Sequence, residues 1–455
     1  MKKLSIFIFL MCFSFGFAQD TPTSFTLQEA IDYALENNRQ AKNATRDIDA
    51  AKQQKWETTA SGLPQISAGV DYQNWLKQGV NLLPAAILSP EDRADLGLDI
   101  GDQFPAVFGT KQTVNATATL NQKLFDGSYL VGLQSAKVFL EISKNAKEKT
   151  DLEVRKAVIN AYGNILLAEE SINILNRNIE VLEKNLDETT KIYENGLEEE
   201  ESVEQLQITL SGVKSQLNNT ERLKKLAYQM FNITLGLDVS SNSELTETLE
   251  GLANINSPLG LIDGDENVQN TIDYQIAEND KTAKELLLKL EKSKALPTLN
   301  AFVNGGYSGN SNKFTFTNSN QEWFGSSMFG VSLDIPIFSS GMRNASTQRA
   351  KINLEKAQED LTETEQKLKL QIASAKSDYQ FAIEDYGNKK DNLNLAERIE
   401  QKNQTKFFEG IASSFELRQA QTQLYSTQQE FLQSMLDVIN AKAELETITN
   451  NISEN

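Results

Sequence analysis

The sequence has no histidine, a single cysteine, Cys12, and only 8 prolines among its 455 residues. Histidine is the commonest general base and metal ligand, so its absence argues against most catalytic and metal-binding functions. Cys12 lies in an N-terminal apolar stretch that we expect to be removed, and a chain without it forms neither disulfides nor thiolate metal sites. Scarce proline and a hydrophobic content of 39% favour an elongated, helix-rich architecture over one large globular core.

Positive charge is also scarce, with 44 Lys and Arg residues against 63 Asp and Glu, which gives a net charge of −19. Phosphate backbones repel so acidic a chain, and we expect no nucleic-acid partner. A basic start at Lys2 and Lys3, a short apolar run, and the small residues Gly16 and Ala18 are typical of a secretory signal peptide. We therefore expect an exported protein that is cleaved near Ala18.

Long apolar runs are missing after residue 18, where none approaches the roughly 20 residues of a membrane helix. If the exported chain enters a membrane, we expect a β-barrel, because only helices and closed barrels satisfy every backbone polar group in lipid. Otherwise the protein is periplasmic or secreted.

The sequence does contain an internal duplication, and such a repeat determines the whole architecture of a chain. Three motifs recur in the same order in both halves, namely Leu63–Ile66 with Leu296–Leu299, Leu120–Gly127 with Leu333–Gly341, and Gly196 with Gly410. Each half should therefore fold into the same succession of elements.

Gly196 and Gly410 each lie between two long segments with coiled-coil periodicity. Apolar residues from Val154 to Tyr193 follow steps of three and four, and the second half repeats this pattern from Leu368 onwards. Beyond the glycines the seams resume, and the first slips by one residue before it continues as Leu223, Leu226 and Met230. We predict two helical hairpins, with an ordinary dimeric coiled coil as the alternative.

Four segments outside the hairpins alternate between apolar and polar residues over about ten positions, as transmembrane barrel strands do. Their apolar positions begin at Ile66, Val114, Leu299 and Phe329, and Phe302 is an exception to the alternation. In a barrel, the residues expected to face lipid include Val70, Val114, Val303 and Val331.

Aromatic residues near one end of these segments are candidates for a membrane-interface girdle. They are Tyr72, Trp75, Tyr307, Trp323 and Phe324. The alternative is that these residues form the core of a soluble β-sandwich. Alternation alone does not distinguish the two.

The resulting order of regions is a signal peptide (1–18), an N-terminal helix (19–61), a strand pair with a long external loop (62–126), a helical hairpin (127–237), a connector (238–267), a helix (268–296), a second strand pair (297–338) and a second hairpin (339–455). Thr26 is a suitable N-cap for the N-terminal helix, which we predict to reach Ala60.

This order, written twice, resembles the TolC-like outer membrane efflux proteins, and Phe25–Asn38 is similar to the N-terminal helix of that family. The resemblance implies a mainly α fold with a β-barrel part. It also implies a homotrimer in which each subunit gives four strands to a twelve-stranded transmembrane β-barrel in outer-membrane lipid. Its long coiled-coil hairpins would form a periplasmic α-barrel. One departure is Lys123, which stands where the family has proline, as at Pro336. How the first strand turns into its helix is therefore open.

In such a channel the two glycine turns are the periplasmic tips of the α-barrel, where a periplasmic adaptor and an inner-membrane pump dock. The adaptor-contacting residues implied by the resemblance are Gly196, Leu197, Gly410 and Ile411. Both glycines should permit a positive φ. The alternative is that they are plain helix C-caps without a contact role.

The resemblance also implies an acidic constriction at the periplasmic mouth, with carboxylates six and nine residues after the tip glycine. Glu416 matches the first position, but Gln419 departs at the second, and Ser202 stands at the matching place in the first half. The candidate carboxylates are Glu198, Glu199, Glu200, Glu201 and Glu416. Their mutual repulsion should favour cations and raise their pKa values. The alternative is a solvated helix start that the helix dipole stabilises.

The predicted function is an outer-membrane channel of a tripartite efflux or type I secretion system, exporting small molecules or polypeptides through a trimeric pore in a Gram-negative bacterium. The alternative is a periplasmic coiled-coil or adaptor-like scaffold without a pore, although a scaffold has no need of four alternating segments. No enzyme activity and no cofactor are expected, and the chain has no phosphate-binding Gly-x-x-x-x-Gly-Lys-Ser/Thr motif.

Overall fold

The structure is a computed structural model that describes residues 23–255 and 267–451. Its helices are α1 (Leu27–Asn37), α2 (Arg39–Ala60), α3 (Pro90–Leu96), α4 (Gly127–Glu194), α5 (Glu200–Leu235), α6 (Leu249–Ile255), α7 (Ile272–Ser293), α8 (Met342–Phe408) and α9 (Ser414–Thr449). Its strands are β1 (Ser24–Phe25), β2 (Gln65–Asn74), β3 (Val80–Pro84), β4 (Gln103–Val107), β5 (Gln112–Phe125), β6 (Glu244–Leu245), β7 (Thr298–Ser311) and β8 (Trp323–Asp334). Among the helices of the described residues, none is both long and apolar enough to cross a membrane.

The chain divides into two compact units. The unit called here the sheet unit comprises Ala51–Leu140 and Lys281–Ala357. The helical unit comprises Met1–Ala50, Glu141–Asp280 and Gln358–Asn455, as far as these residues are described.

The sheet unit contains one four-stranded antiparallel sheet in the order β2-β5-β7-β8. Its register lines up the apolar positions of all four strands. Ile66 pairs with Leu120, Leu120 with Val303, and Val303 with Phe329. Because side chains alternate along every strand, this row fixes one apolar face and one polar face for the whole sheet.

The apolar face of the sheet is open to its surroundings in the single chain. Ile66, Val70 and Phe329 are 75%, 73% and 70% exposed. A soluble sandwich would bury such side chains under a second layer, since each buried aliphatic or aromatic side chain stabilises a fold by about 1.5–3 kcal/mol. The described residues supply no such layer, so the sandwich-core interpretation of these strands is wrong for the single chain.

The junction between β5 and α4 shows how the chain continues without the family proline. The register shifts between Lys123 and Phe125, which marks a bulge at the end of the strand. The Asp126 carboxylate then accepts hydrogen bonds from the backbone N–H groups of Ser128 (2.8 Å) and Tyr129 (3.2 Å) and so caps the helix. The Lys123 ammonium lies 5.6 Å from the centre of the Tyr129 ring. A bulge and a side-chain cap therefore make the turn.

The helical unit holds the two hairpins, α4 from Glu141 onwards with α5, and α8 from Gln358 onwards with α9. Many residues of the predicted seams are buried, and Val158, Ile165, Leu182, Tyr379 and Val438 are fully so, whereas Tyr193 at the tip is exposed. The hairpin prediction is confirmed, because the periodicity of three and four places these residues on one face of each helix.

Two details of the helical unit differ from expectation. The N-terminal helix breaks at Asn38, whose side-chain oxygen accepts from the Gln40 N–H (2.7 Å) while its amide donates to the Thr234 carbonyl (2.7 Å). After the slip in α5, Leu223 and Met230 are exposed, and Phe231 is buried in their place. Both differences arise from contacts with sequence-distant partners.

Candidate functional site

The first hairpin tip is a helix C-cap built on Gly196. The Gly196 N–H donates to the Tyr193 carbonyl (2.8 Å), and the Leu197 N–H donates to the Ile192 carbonyl (3.1 Å). This pair of bonds is the Schellman motif, which needs a left-handed residue, and Gly196 has φ +74°.

The second tip repeats the first. The Gly410 N–H donates to the Phe407 carbonyl (3.0 Å), the Ile411 N–H donates to the Lys406 carbonyl (2.8 Å), and Gly410 has φ +72°. The prediction of positive φ at both glycines is confirmed. A Cβ at Gly196 or Gly410 would meet no heavy atom within 4 Å, so backbone conformation alone, and not lack of space, selects glycine here.

Each tip presents an aliphatic side chain to its surroundings. Leu197 is 79% exposed and Ile411 is 71% exposed. The C-cap role of the glycines and a contact role of their neighbours are therefore compatible, because different residues serve them.

The acidic run lies where the first tip enters α5. Glu199 is the N-cap residue of α5, and Glu200 and Glu201 occupy its first turn, where the helix dipole favours negative charge. The Glu198 carboxylate accepts a hydrogen bond from the Ser202 hydroxyl (2.5 Å). All these carboxylates belong to one helix start.

Glu416 has a capping role that the sequence did not reveal. Its carboxylate accepts from the backbone N–H of Ser413 (2.8 Å), and its own N–H donates to the Ser413 hydroxyl (3.3 Å), which completes a capping box at the start of α9. The Ser413 backbone N–H, with its hydroxyl, holds the pKa of Glu416 below its ordinary value. In the single chain this shift is opposite to the rise expected from a threefold ring of carboxylates, and that rise stays a prediction for the assembly.

The two tips contact each other. The hydroxyl oxygens of Ser202 and Ser414 are 2.8 Å apart, and a cavity of about 590 Å³ lies between the two turns. Arg418 lines this cavity beside Glu198 and Glu201, with its guanidinium 5.4 Å from the centre of the Phe415 ring. Sequence reasoning missed Arg418, because only the pairing of the tips places a cation next to the acidic run.

The aromatic residues gather at one end of the sheet. Tyr72 pairs with Val114, Val114 with Gly309, and Gly309 with Trp323, so Tyr72 and Trp323 lie in one row on the apolar face. Tyr307 lies on the same face, two residues further into β7 than Gly309. The structure thus brings three of the five candidates together.

The other two candidates are placed differently. Phe324 follows Trp323 directly in β8, so the alternation places it on the polar face, and its grouping with the girdle is corrected. Trp75 follows the end of β2, where its N–H donates to the Lys111 carbonyl (2.9 Å).

Two loop residues complete an aromatic cluster that sequence reasoning missed. Phe314 and Phe316 lie in the loop between β7 and β8 and contact the Tyr72 ring at centroid distances of 5.9 and 6.1 Å. Phe316 also lies 6.3 Å from the Trp323 ring. Their spacing in the loop carries no strand periodicity, so only the folded loop shows that they belong to this end of the sheet.

The opposite face of the sheet is lined mainly with small and polar side chains, although Phe302, Phe324 and Met328 also lie on it. The small and polar residues include Ser67, Asp71, Asn115, Thr117, Thr119, Asn304 and Ser332. The Asn304 amide donates to the Thr119 hydroxyl (2.7 Å) across β5 and β7. One face thus suits an apolar medium and the other suits water.

The model of the outer membrane efflux protein family matches residues 30–236 and 269–451. The chain belongs to this family. Its relatives include the outer membrane protein TolC of Vibrio cholerae, which is 22% identical to this chain over 346 residues, covering 74% of this chain and 70% of TolC. The probable efflux pump outer membrane protein TtgC of Pseudomonas putida is 22% identical over 436 residues, covering 92% of this chain and 81% of TtgC.

Solved structures of outer-membrane proteins share the fold of this efflux protein. The outer membrane protein VceC of Vibrio cholerae superposes with a TM-score of 0.71 at 15% identity, over 93% of this chain and 95% of VceC. The CmeC outer membrane channel of Campylobacter jejuni superposes with a TM-score of 0.70 at 18% identity, over 93% of this chain and 85% of CmeC.

These findings confirm the resemblance to TolC-like proteins, the fold of long hairpins with four strands per chain, and the function as an outer-membrane efflux channel. None of them supports the scaffold without a pore. Members of the family are transport channels of the Gram-negative outer membrane. The predicted signal peptide and Cys12 lie outside the described residues.

Proposed function

We propose that three copies of this chain close their sheets into a twelve-stranded barrel in the outer membrane and their hairpins into a periplasmic tunnel. The observation that carries this proposal is the open four-stranded sheet with an exposed apolar face and a polar opposite face. Membrane barrels have about 8 or more strands, and β2 and β8 each have one neighbouring strand in the described chain, so further copies are needed for closure.

The faces of the sheet determine its orientation in this assembly. The row of Ile66, Leu120, Val303 and Phe329 faces lipid, and the polar face lines a water-filled lumen. Tyr72, Tyr307 and Trp323, with the loop residues beside them, lie at the level of the lipid headgroups, where amphipathic rings are enriched.

The tips dock to a periplasmic adaptor and through it to an inner-membrane pump. Leu197 and Ile411 are the contact residues, because they are aliphatic, exposed and held by rigid C-caps. TtgC and CmeC, which resemble this chain, are described respectively as an efflux pump outer membrane protein and an outer membrane channel. The exported class is small molecules or polypeptides.

The periplasmic mouth is an acidic constriction formed by Glu198–Glu201 and Glu416 from each copy. Rings of carboxylates favour cations, since threefold symmetry repeats every charge around the axis. Arg418 beside the run offsets part of this charge, so the selectivity for cations is moderate.

Conductance of the purified protein in planar lipid bilayers tests the proposal. We expect discrete channels, with a reversal potential in a KCl gradient that indicates cation preference. Replacing Glu198–Glu201 and Glu416 by Gln should move the reversal potential towards zero. Glu359→Gln with Asp360→Asn, two exposed residues far from the tip in α8, should leave it unchanged.

The possible outcomes separate the parts of the proposal. An absence of channels from folded protein would contradict the pore itself. Channels whose reversal potential is the same before and after the Gln substitutions would contradict the acidic mouth alone.

A further inference from the structure

A second apolar stripe runs along α5, opposite the seam that this helix buries. Leu226 and Met230 belong to the segment that slips out of the seam after Thr220, and the proposed pore gives that slip no role. The members of this α5 stripe share one helix face and are 52–72% exposed, namely Ile208, Leu226, Met230 and Ile233. A continuous stripe of exposed apolar side chains marks an interaction surface.

The second hairpin carries a corresponding stripe on α8. It lies on the helix face opposite the fully buried Tyr379. The members of this α8 stripe are 48–71% exposed, namely Leu370, Phe381, Leu395 and Ile399. One exposed apolar residue needs no explanation, but two stripes on two different hairpins indicate two contact surfaces.

Heights along the two hairpins can be compared because the tips lie at the same level. The hydroxyl oxygens of Ser202 and Ser414, which follow the tip glycines closely, are 2.8 Å apart. Further from the tips, the Asn178 amide donates to the Gln428 side-chain oxygen (2.9 Å), and each of these residues is 18 positions from the glycine of its own tip. The number of residues from the glycine therefore measures height in both hairpins, at about 1.5 Å per residue.

The two stripes are apolar at the same three heights. Counted in residues from Gly196 or Gly410, these heights are 12 and 11 for Ile208 and Ile399, 30 and 29 for Leu226 and Phe381, and 37 and 40 for Ile233 and Leu370. Within each pair the difference in height is therefore at most about 5 Å. The stripes match in position as well as in chemistry.

Charged side chains beside the stripes also match in height, with opposite signs. Arg222 and Glu384 are each 26 residues from the glycine of their own tip, and Glu204 and Lys402 are each 8 residues from theirs. All four are exposed, and no described residue forms an ion pair with Arg222, Glu204 or Lys402. If α5 and α8 run antiparallel with their stripes face to face, a rotation of 100° per residue places both pairs on the same side of the joint. Opposite charges at equal height favour this one register.

We propose that the α5 stripe of one copy packs against the α8 stripe of the next copy and so joins the hairpins into a ring. This proposal rests on the trimer proposed above and names the surface that joins its copies. Rotation about a threefold axis moves no residue along that axis, so side chains at equal height meet. Leu226 then contacts Phe381 of the next copy, and Arg222 pairs with Glu384. Because the two faces differ, the contact is heterologous, as a closed ring of three requires.

Cysteine cross-linking tests the contact in the full-length protein, purified in a neutral detergent without an adaptor. The only native cysteine, Cys12, lies in the segment that we expect to be removed. Ile208→Cys combined with Ile399→Cys should give covalent dimers and trimers with a short bismaleimide, whereas either variant alone should not, since each cysteine then faces an isoleucine. Ile208→Cys with Leu370→Cys, which differ in height by about 40 Å, is the mismatched control.

The outcomes separate this interface from the trimer itself. Dimers from Ile208→Cys alone would indicate an isologous contact and overturn the proposal. A particle with the mass of three copies in analytical ultracentrifugation that gives no cross-link in the matched pair would overturn this interface and leave the trimer intact. A monomer would overturn both.

Charge reversal tests the register independently. Arg222→Glu should lower the ratio of trimer to monomer by at least about fivefold, because it places two carboxylates at one height in each of the three joints. Adding Glu384→Arg should restore the ratio to within about twofold of the native value. Adding Glu359→Arg instead restores the same net charge at a height of 51 residues, beyond the end of α5, and should not restore the ratio. Equal rescue by both substitutions, or no effect of Arg222→Glu, would contradict the proposed register.

Discussion

Phe329 is the position at which a lipid-facing sheet can be tested most sharply. With Trp323 at one membrane interface and a strand tilt of about 40°, each residue of β8 advances about 2.5 Å along the membrane normal. The middle of an apolar band about 25 Å tall then lies about five residues beyond Trp323. Phe329 is the large apolar side chain of that face nearest this depth, and Met328 is its neighbour on the polar face.

Phe329→Arg should therefore destabilise each copy by about 2–4 kcal/mol, the value for arginine at the midplane of a barrel. Met328→Arg, on the lumen side, should be tolerated. Val331→Arg lies closer to the far interface, so about 1 kcal/mol is expected there. Phe329→Leu controls for the loss of the ring.

The amount of folded protein in the outer-membrane fraction, measured by heat-dependent mobility on gels, ranks these variants by their stability. Equal accumulation of Phe329→Arg and Met328→Arg would refute the assignment of faces. An equal loss of folded protein in Val331→Arg and Phe329→Arg would refute the assignment of Phe329 to the middle of the apolar band.

Further predictions concern glycines and the cap of α9. Gly236→Ala should lower the melting temperature strongly, because φ is +86° and the new Cβ would lie 2.3 Å from a backbone oxygen; Gly97→Ala, with φ +66° and open space, should cost only about 1–2 kcal/mol. Ser413→Ala should destabilise α9 by about 1 kcal/mol in thermal unfolding. Because the pKa of Glu416 is lowered on folding, the stability that its carboxylate contributes is present above the unfolded pKa of about 4.3 and is lost as the pH falls through the folded pKa. Glu416→Gln should therefore make the free energy of unfolding depend less steeply on pH in this acidic range. Gly410→Val should abolish export while the level of assembled protein is unchanged, whereas loss of assembly would make the glycine merely structural.

The sequence by itself determined the hairpins, the strands and the glycine turns. These features depend on local rules: a periodicity of three and four buries one face of a helix, alternation separates the faces of a strand, and a left-handed C-cap requires glycine. Val158, Val303 and Gly196 therefore have the environments that their neighbours in the sequence predict. The duplication strengthened each prediction, since the same order occurs twice.

Only the tertiary structure decided which groups meet across long sequence distances. Arg155 and Glu446 are 291 residues apart in the chain, and Ser202 and Ser414 are 212 apart. The placement of Phe316 against Trp323 likewise depends on how a loop folds back over a strand. Periodicity records which face of an element is apolar, but it does not record which element will cover that face, because packing is set by the shapes and charges of partners that local sequence does not specify.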